Sequence, residues 1–143
     1  MDILAENRRA VRDYELKERF QAGIVLNGQE VKSIKLGRAQ VQGSFVVLRQ
    51  GELFWVGAAI PAYQPANAPA GFKEERPRKL LLQKREISRL IGSGRNQGLT
   101  FLPIRLYTVR GKIKLEFALA KKRKKGDKRQ SIKKREAERE IRR

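Results

Sequence analysis

The chain has 143 residues, a length that suits one domain with an extension. It contains neither cysteine nor histidine, which excludes disulfide frameworks, thiol nucleophiles, cysteine zinc sites and histidine general bases. Its 34 lysines and arginines outnumber its 15 aspartates and glutamates, so the net charge is +19. Such an excess repels itself in the folded state, and its usual reason is a polyanionic partner such as nucleic acid.

The N-terminal segment carries no positively charged cluster followed by an apolar run, so no secretory signal is predicted. Nowhere does the chain approach 18 consecutive apolar residues, so no membrane span is predicted either. A protein adsorbed on a membrane surface should have a basic amphipathic helix with a broad apolar face, and the sequence does not show one. We therefore expect a cytoplasmic protein without a membrane partner.

The first predicted element is a long strand over residues 14–26, where apolar and charged residues alternate. Gly23 lies inside it and suits the sharp bend that a small barrel requires. A short helix follows, because Asn27 can accept hydrogen bonds from the first turn and Glu30 occupies the reciprocal capping-box position. Gly37 is typical of a helix end.

Two β-hairpins, each turning at a glycine, are predicted for residues 44–60 and 99–120. In the last strand of the second hairpin, apolar residues alternate with charged ones. Because successive side chains of a strand point to opposite faces, one face of this strand should lie on the core and the other should carry charge.

The segment between the hairpins contains further elements. Residues 61–77 hold four of the five prolines and are typical of a long surface loop. Residues 78–82 favour a buried strand, although their periodicity also allows a helix. Residues 84–91 have the apolar spacing of a helix, which we expect to end at Gly92 and Gly94.

About six short strands with two or three accessory helices predict a mainly β fold, and an OB-like antiparallel β-barrel over residues 1–120 is the preferred architecture. Residues 121–143 differ in composition, with 13 basic and 4 acidic residues and a net charge of +9. Their few apolar residues cannot dock a helix, although helix-favouring residues and i, i+4 charge pairs are present. We therefore expect a basic C-terminal tail that is disordered when free and becomes ordered on binding RNA.

The sequence shows little sign of catalysis. Most carboxylates neighbour an arginine or lysine and are expected to form solvated ion pairs, and no glycine-rich phosphate loop or Walker sequence is present. We expect no enzymatic activity, no metal and no cofactor. A magnesium-dependent nuclease with paired carboxylates remains an alternative, although no spacing indicates one.

Basic residues around a small apolar patch are the better candidates for function. Lys112 and Lys114 are two residues apart on a predicted strand and share a face, while Lys79, Lys84 and Arg85 surround an apolar triplet. A flat basic face beside an apolar patch could hold an RNA backbone and pack against a base.

Aromatic side chains are the second requirement of single-strand recognition, because bases stack on them. For Phe20, Phe45 and Trp55 we favour core packing over stacking. The full set of candidates is Phe20, Phe45, Trp55, Tyr63, Phe72 and Tyr107.

Several short strings, each weak alone, occur in one order along the chain. They include Asn7-Arg-Arg-Ala10, Ala22-Gly-Ile-Val-Leu26, Glu30-Val-Lys-Ser33, Gly37-Arg-Ala39, Arg78-Lys-Leu-Leu-Leu82, Lys84-Arg-Glu-Ile87, Ala118-Leu-Ala-Lys121 and Asp127-Lys-Arg129. The ordered set resembles the small protein B family, the tmRNA-binding or SsrA-binding proteins.

This resemblance implies an OB-type barrel that binds the tRNA-like domain of tmRNA and delivers it to ribosomes stalled on messages without a stop codon. The protein would stand in for the missing anticodon side of a tRNA, and its basic tail would enter the empty mRNA channel and become helical there. The implied partners are tmRNA, the ribosomal RNA of the decoding centre and mRNA channel, and indirectly elongation factor Tu through charged tmRNA. The resemblance also implies a non-enzymatic protein, and we expect a monomer.

The composition and the resemblance together give a set of predicted site residues. Those expected to bind RNA are Gln21, Gly23, Glu30, Lys32, Arg38, Lys79, Leu81, Lys84, Arg85, Lys112 and Lys114. Those expected to meet the ribosome and the mRNA channel are Lys121, Asp127, Lys128, Arg129, Lys133, Lys134 and Arg135.

The chain departs from the family's common pattern at three of its positions. Gln21 stands where the family commonly has glutamate, so its contact would be a neutral hydrogen bond. Arg12 and Gln83 stand where the family commonly has histidine; the arginine adds charge, and the glutamine cannot ionise. From charge alone, a structural RNA-binding protein such as a ribosomal protein remains the second interpretation.

Overall fold

A computed structural model describes residues 1–93 and 98–123, which form seven strands and three α-helices. In chain order these are β1 Asp2–Glu6, α1 Arg8–Asp13, β2 Tyr14–Ile24, α2 Gly28–Lys35, β3 Phe45–Arg49, β4 Glu52–Val56, β5 Arg78–Leu81, α3 Lys84–Ser93, β6 Leu99–Val109 and β7 Lys112–Lys122. A short 3-10 turn at Pro65–Asn67 lies in the loop between β4 and β5. The predicted mainly β, antiparallel class is confirmed.

Strands β2 to β7 close into a ring, in the order β6-β3-β4-β5-β2-β7 and back to β6. The shortest strand pairing in the ring is between β3 and β6, where Val46 lies opposite Phe101. Strand β1 pairs with another part of β6 and does not enter the ring. The ring therefore contains the six strands that a small closed barrel was predicted to use, with β1 as an addition.

The two predicted hairpins are confirmed, and both turn on two residues with positive φ. These are Gln50 and Gly51 between β3 and β4, and Arg110 and Gly111 between β6 and β7. Two-residue turns with positive φ at both positions match the right-handed twist of the flanking strands. Glycine at the second position accepts this conformation without the steric cost of a Cβ.

The predicted capping box at the start of α2 is also confirmed. The Glu30 N–H donates to Asn27 Oδ1 at 2.9 Å, and the Asn27 N–H donates to Glu30 Oε1 at 3.0 Å. After the helix, Gly37 takes a left-handed φ of +74°. The same short-range signals that predict a helix over this segment therefore form its two ends.

Three elements differ from the sequence prediction. Strand β1 and helix α1 were not predicted, because both are short and neither has a clear apolar period. Helix α3 continues through Ser93, so the prediction that Gly92 ends it is wrong. An exposed glycine costs a helix only about 1 kcal/mol, which the packing of Leu90 in the core offsets. Gly94 lies outside the described residues.

The barrel interior forms the main core. The Phe20 and Phe117 rings stack at a centroid distance of 5.5 Å, and Phe101 meets each of them edge to face. Trp55 is fully buried, and its Nε1–H donates to Ser44 Oγ at 2.9 Å. Each large side chain buried here contributes about 1.5–3 kcal/mol, so this interior fixes which face of each strand points outward.

A second, smaller core lies under α1. It consists of Ala10 from the helix with Leu102, Ile104, Ala118 and Ala120 from β6 and β7. The outer face of β7 is therefore apolar and buried in its second half, beyond the alternation of charged and apolar residues that the sequence shows over residues 112–117. This burial follows from the unpredicted helix, because α1 covers this part of the sheet.

Strand β7 also extends further than expected. Lys121 lies within it, opposite Glu15 on β2 and Leu99 on β6. The next residues remain attached, because the Arg123 N–H donates to the Asp13 carbonyl at 2.9 Å. Lys121 is therefore a barrel residue in the structure. The other predicted tail residues lie outside the described residues: Asp127, Lys128, Arg129, Lys133, Lys134 and Arg135.

No helix within the two described segments is long and apolar enough to cross a membrane.

Candidate RNA interface

Three predicted site residues lie side by side where β5, β2 and β7 are adjacent. Gly23 on β2 is paired with Leu81 on β5 and with Lys114 on β7. A Cβ at position 23 would lie 3.4 Å from the Leu81 Cβ, which is ordinary van der Waals contact, so Leu81 packs directly beside this position of the strand. Leu81 is 52% exposed, which leaves an apolar surface next to a lysine.

These residues border a cleft of about 470 Å³, here called the leucine cleft. Lys112 and Lys114 supply its charge, which confirms that they share a face of the strand. Its apolar walls include Ile24, Leu26 and Val31. Lysines beside an apolar wall can hold a phosphate and pack against a base or ribose at the same time.

A second cleft of about 580 Å³, here called the arginine cleft, lies on the other side of Lys114. Gln21 lines it, together with Arg19, Arg89 and Arg105. None of these arginines is among the predicted site residues. Arg19 could have been found, because it is two residues from Gln21 on one strand and therefore shares its face. Arg105 could not, because a register shift between Pro103 and Arg105 breaks the alternation along β6.

The floor of the arginine cleft contains a buried carboxylate. Glu116 is 3% exposed, and its two oxygens accept hydrogen bonds from different arginines. Arg19 Nη1 donates to Oε1 at 2.9 Å, and Arg105 Nε donates to Oε2 at 3.0 Å. Two guanidinium groups are thus oriented by one carboxylate beside Lys114.

Glu30, by contrast, lines neither of the two clefts. Its side chain is fully buried and accepts hydrogen bonds from Arg76 and from Arg78, the latter at 2.7 Å. Burial alone would raise the pKa of the Glu30 carboxyl, but the hydrogen bonds from Arg76, the Asn27 N–H and Arg78 outweigh it and lower the pKa. The expectations of an RNA contact and of a solvated ion pair are both wrong for this side chain, because the loop and β5 enclose it.

Two basic residues, one in α2 and one just after its C-terminal end, contact the proline-rich loop. Lys32 Nζ lies 5.4 Å from the centroid of the Tyr63 ring, and Arg38 Nη1 donates to the Tyr63 carbonyl at 3.4 Å. Both basic side chains are exposed, but neither lines the leucine cleft or the arginine cleft. They therefore form a separate flank of the basic surface.

The remaining predicted lysines and arginines surround the clefts without lining them. Lys79 Nζ donates to Glu52 Oε1 at 3.0 Å on the outside of β4 and β5. Lys84 and Arg85 are exposed at the start of α3, whose Arg89 does line the arginine cleft. The structure thus brings together five of the predicted residues: Gln21, Gly23, Leu81, Lys112 and Lys114.

The structure buries some of the aromatic candidates and exposes others, and this division differs in part from the predicted one. Phe20 and Trp55 are buried as predicted, and Tyr107 is buried as well, so none of these rings can stack on a base. Phe45 is 41% exposed, so the expected core packing is wrong for it; it projects from the outer side of β3. The candidates that remain partly exposed in the loop are Tyr63 and Phe72.

Within residues 1–93 and 98–123, no group of three or more aspartate, glutamate, histidine or cysteine side chains is placed to hold a metal ion. The carboxylate in the floor of the arginine cleft is instead paired with arginine.

Comparison with known proteins gives one consistent result. The family model described as SmpB protein matches residues 4–143. The SsrA-binding protein of Carboxydothermus hydrogenoformans is 47% identical over 97% of this chain and 93% of its own length. That of Rubrobacter xylanophilus is 45% identical over 100% of this chain and 95% of its own length.

A solved structure concerned with tmRNA–SmpB and the bacterial ribosome contains a chain with a similar fold. The two chains superpose with a TM-score of 0.69 and 41% sequence identity, over 85% of each. The family match spans nearly the whole chain, including both clefts, and the relatives agree with it in sequence and in fold. The chain belongs to the SmpB protein family.

Proposed function

We propose that this protein binds tmRNA, the SsrA RNA, and acts with it in trans-translation on stalled ribosomes. The observation that carries the proposal is the alignment of Leu81, Gly23 and Lys114 between the two clefts. It places an exposed apolar side chain among basic ones on a rigid sheet. The relatives named SsrA-binding protein and the tmRNA–SmpB structure support the choice of RNA.

The barrel holds the tRNA-like domain of tmRNA through two kinds of contact. Lys112 and Lys114 bind phosphates, and each phosphate that is neutralised releases counterions into solution. Leu81 packs against a base or ribose that leaves the helical stack. Gln21 adds a neutral hydrogen bond from the arginine cleft. These contacts recognise the shape of a folded RNA more than its sequence, as expected for a basic surface of this kind.

The C-terminal segment serves the ribosome. Residues 124–143 enter the empty mRNA channel, while the barrel occupies the anticodon side that tmRNA lacks. The Arg123 N–H, held 2.9 Å from the Asp13 carbonyl, fixes where this segment leaves the barrel. A message still present in the channel would compete with it, so the segment tests whether the channel is empty. In this proposal the protein is a cytoplasmic monomer that meets elongation factor Tu only through charged tmRNA.

The decisive experiment compares two RNAs at one near-physiological salt concentration. The affinity for the isolated tRNA-like domain of tmRNA is measured against that for ribosomal RNA fragments of equal length. A clear preference for the tRNA-like domain is expected. Equal affinities would favour a structural ribosomal protein instead. The salt dependence does not separate the two, because both predict a slope of roughly −0.7 to −0.9 per phosphate contacted.

The proposal also includes no chemical step by the protein itself. Incubating the full chain with magnesium and labelled RNA should leave the RNA intact. Cleavage in proportion to the amount of protein would contradict this and would favour the nuclease alternative.

A further inference from the structure

In the arginine cleft, hydrogen bonds to one buried carboxylate hold two arginine side chains in place. We infer that Arg19 and Arg105 form a phosphodiester-binding subsite, and that Glu116 acts as its positioning residue. The inference rests on the proposed function, since it assigns a specific contact within the RNA interface. Its ligand is a backbone phosphate of RNA next to the one held by Lys114.

The first argument concerns charge. Burying a carboxylate is costly unless it is paired, and one arginine is enough to pair Glu116. Here two arginines share it, so the group of three carries a net positive charge. Lys114 lies two residues from Glu116 on the same strand and lines the same cleft. Glu86 also lines the cleft, so four basic side chains face two carboxylates there. This excess of positive charge suits an external anion.

The second argument concerns the donors that remain. A guanidinium group carries five N–H donors in a planar fork. In the described part of the chain, Glu116 accepts one N–H from Arg19, through Nη1, and one from Arg105, through Nε, while Arg105 Nη2 lies 3.0 Å from the same oxygen as an ion pair. Both arginines therefore keep donors for phosphate oxygens. The Arg19 side chain is 59% exposed and that of Arg105 is 28% exposed, so solvent and ligands reach both.

The third argument concerns orientation. Arg105 is held by Glu116 on one side and lies 5.6 Å from the centroid of the Tyr107 ring on another. The ring is fixed, because Tyr107 is buried. An arginine already held in one geometry loses less conformational entropy on binding than a free surface lysine. The planar fork also recognises the two free oxygens of a phosphodiester better than an ammonium does.

The test uses a substitution for which the two explanations, net charge and orientation of the arginines, predict opposite changes in RNA affinity. Glu116→Gln raises the net charge from +19 to +20 and should tighten RNA binding if only charge matters. If Glu116 orients the arginines, the same change should weaken binding to the tRNA-like domain about fivefold. Glu15→Gln is the matched control, because it removes the same charge from an exposed pair with Lys17 and should leave affinity unchanged or slightly higher.

Arg19→Gln tests the subsite independently of Glu116. It removes one exposed side chain, leaves the Arg105–Glu116 pair intact and should preserve the melting temperature. Its affinity should fall, and the slope of log affinity against log salt should become less steep by about 0.7–0.9, the value for one phosphate contact. This variant remains informative even if Glu116→Gln unfolds the barrel.

The outcomes are distinct. If Glu116→Gln and Arg19→Gln both bind like Glu15→Gln while Lys114→Ala weakens binding, the subsite is absent and the proposed function stands. If the wild type binds ribosomal RNA fragments as tightly as the tRNA-like domain, the proposed function fails. The subsite is then judged separately, by whether the two variants still weaken RNA binding.

Discussion

Replacing Glu30 by alanine tests whether this carboxylate stabilises the fold from inside the protein. Its oxygens accept hydrogen bonds from Arg76, from Arg78 at 2.7 Å and from the Asn27 N–H at 3.0 Å. Arg78 is fully buried, so the substitution would leave its charge without a counterion. Breaking a buried ion pair by removing one partner costs about 3–5 kcal/mol. Part of the capping box is lost as well.

The free energy of unfolding can be measured in urea by following the fluorescence of Trp55, the single tryptophan. Because a domain of this size is stable by only about 5–15 kcal/mol, the variant is best studied in the cold. Glu52→Ala is the control, since it breaks an exposed pair with Lys79 and should cost less than about 1 kcal/mol.

A double mutant separates pairing from packing. With Arg78→Met in the background, Glu30→Ala no longer leaves a buried charge and should cost about 1–3 kcal/mol less than it does alone. The reasoning would be refuted if Glu30→Ala were no more destabilising than Glu52→Ala and if no coupling with Arg78 were found. Glu30 would then have to be accessible, and a direct RNA contact would again be possible.

Five further outcomes are expected. The pKa of the Glu30 carboxyl lies below its usual value of 4.5, so its contribution to stability is complete above pH 4.5 and is lost as the pH falls below that value. Urea titrations at several pH values should show this loss, and the Glu30→Ala variant should lack it. Leu80→Ala should destabilise the barrel by about 2–5 kcal/mol because Leu80 is buried. Leu81→Ala should leave the melting temperature nearly unchanged and weaken binding to the tRNA-like domain, because Leu81 is exposed; the opposite pattern would place the wrong leucine at the surface. Lys114→Ala should weaken RNA binding without lowering the melting temperature, and a large drop would show that its side chain supports the core. Deleting residues 124–143 should preserve the barrel and much of the tmRNA affinity but abolish peptide tagging; loss of tmRNA binding with tagging intact would overturn the division of roles.

The arginine cleft shows how site prediction depends on register. Lys112 and Lys114 could be placed on one face from the sequence, because residues two apart on a strand share a face. Gln21 and Gly23, on another strand, were predicted from the family resemblance. Arg105 reaches the arginine cleft, beside Lys114, only because β6 pairs with β7 after a register shift. Which strands are neighbours, and where a pairing slips by one residue, is decided by long-range packing and leaves no local pattern.

For Glu30, the sequence predicted an exposed side chain that the structure buries. Its position at the start of a helix follows from local capping, and the structure confirms it. Its burial does not, because it depends on Arg76 and Arg78, which are 46 and 48 residues away in the chain. A carboxylate among basic residues in the sequence is compatible with a solvated pair or with an enclosed one, and only the packing of the loop against α2 distinguishes them.

By itself, the sequence determined the class of partner, the two hairpins and the capped helix. These properties depend on composition, on residue spacing and on contacts between near neighbours, all of which can be read along the chain. The tertiary structure alone decided which strands are neighbours in the ring, that α1 covers the second half of β7, and that two arginines share one buried carboxylate. These features arise from side chains that are distant in sequence, and their energies depend on burial, which exists only after the chain has folded.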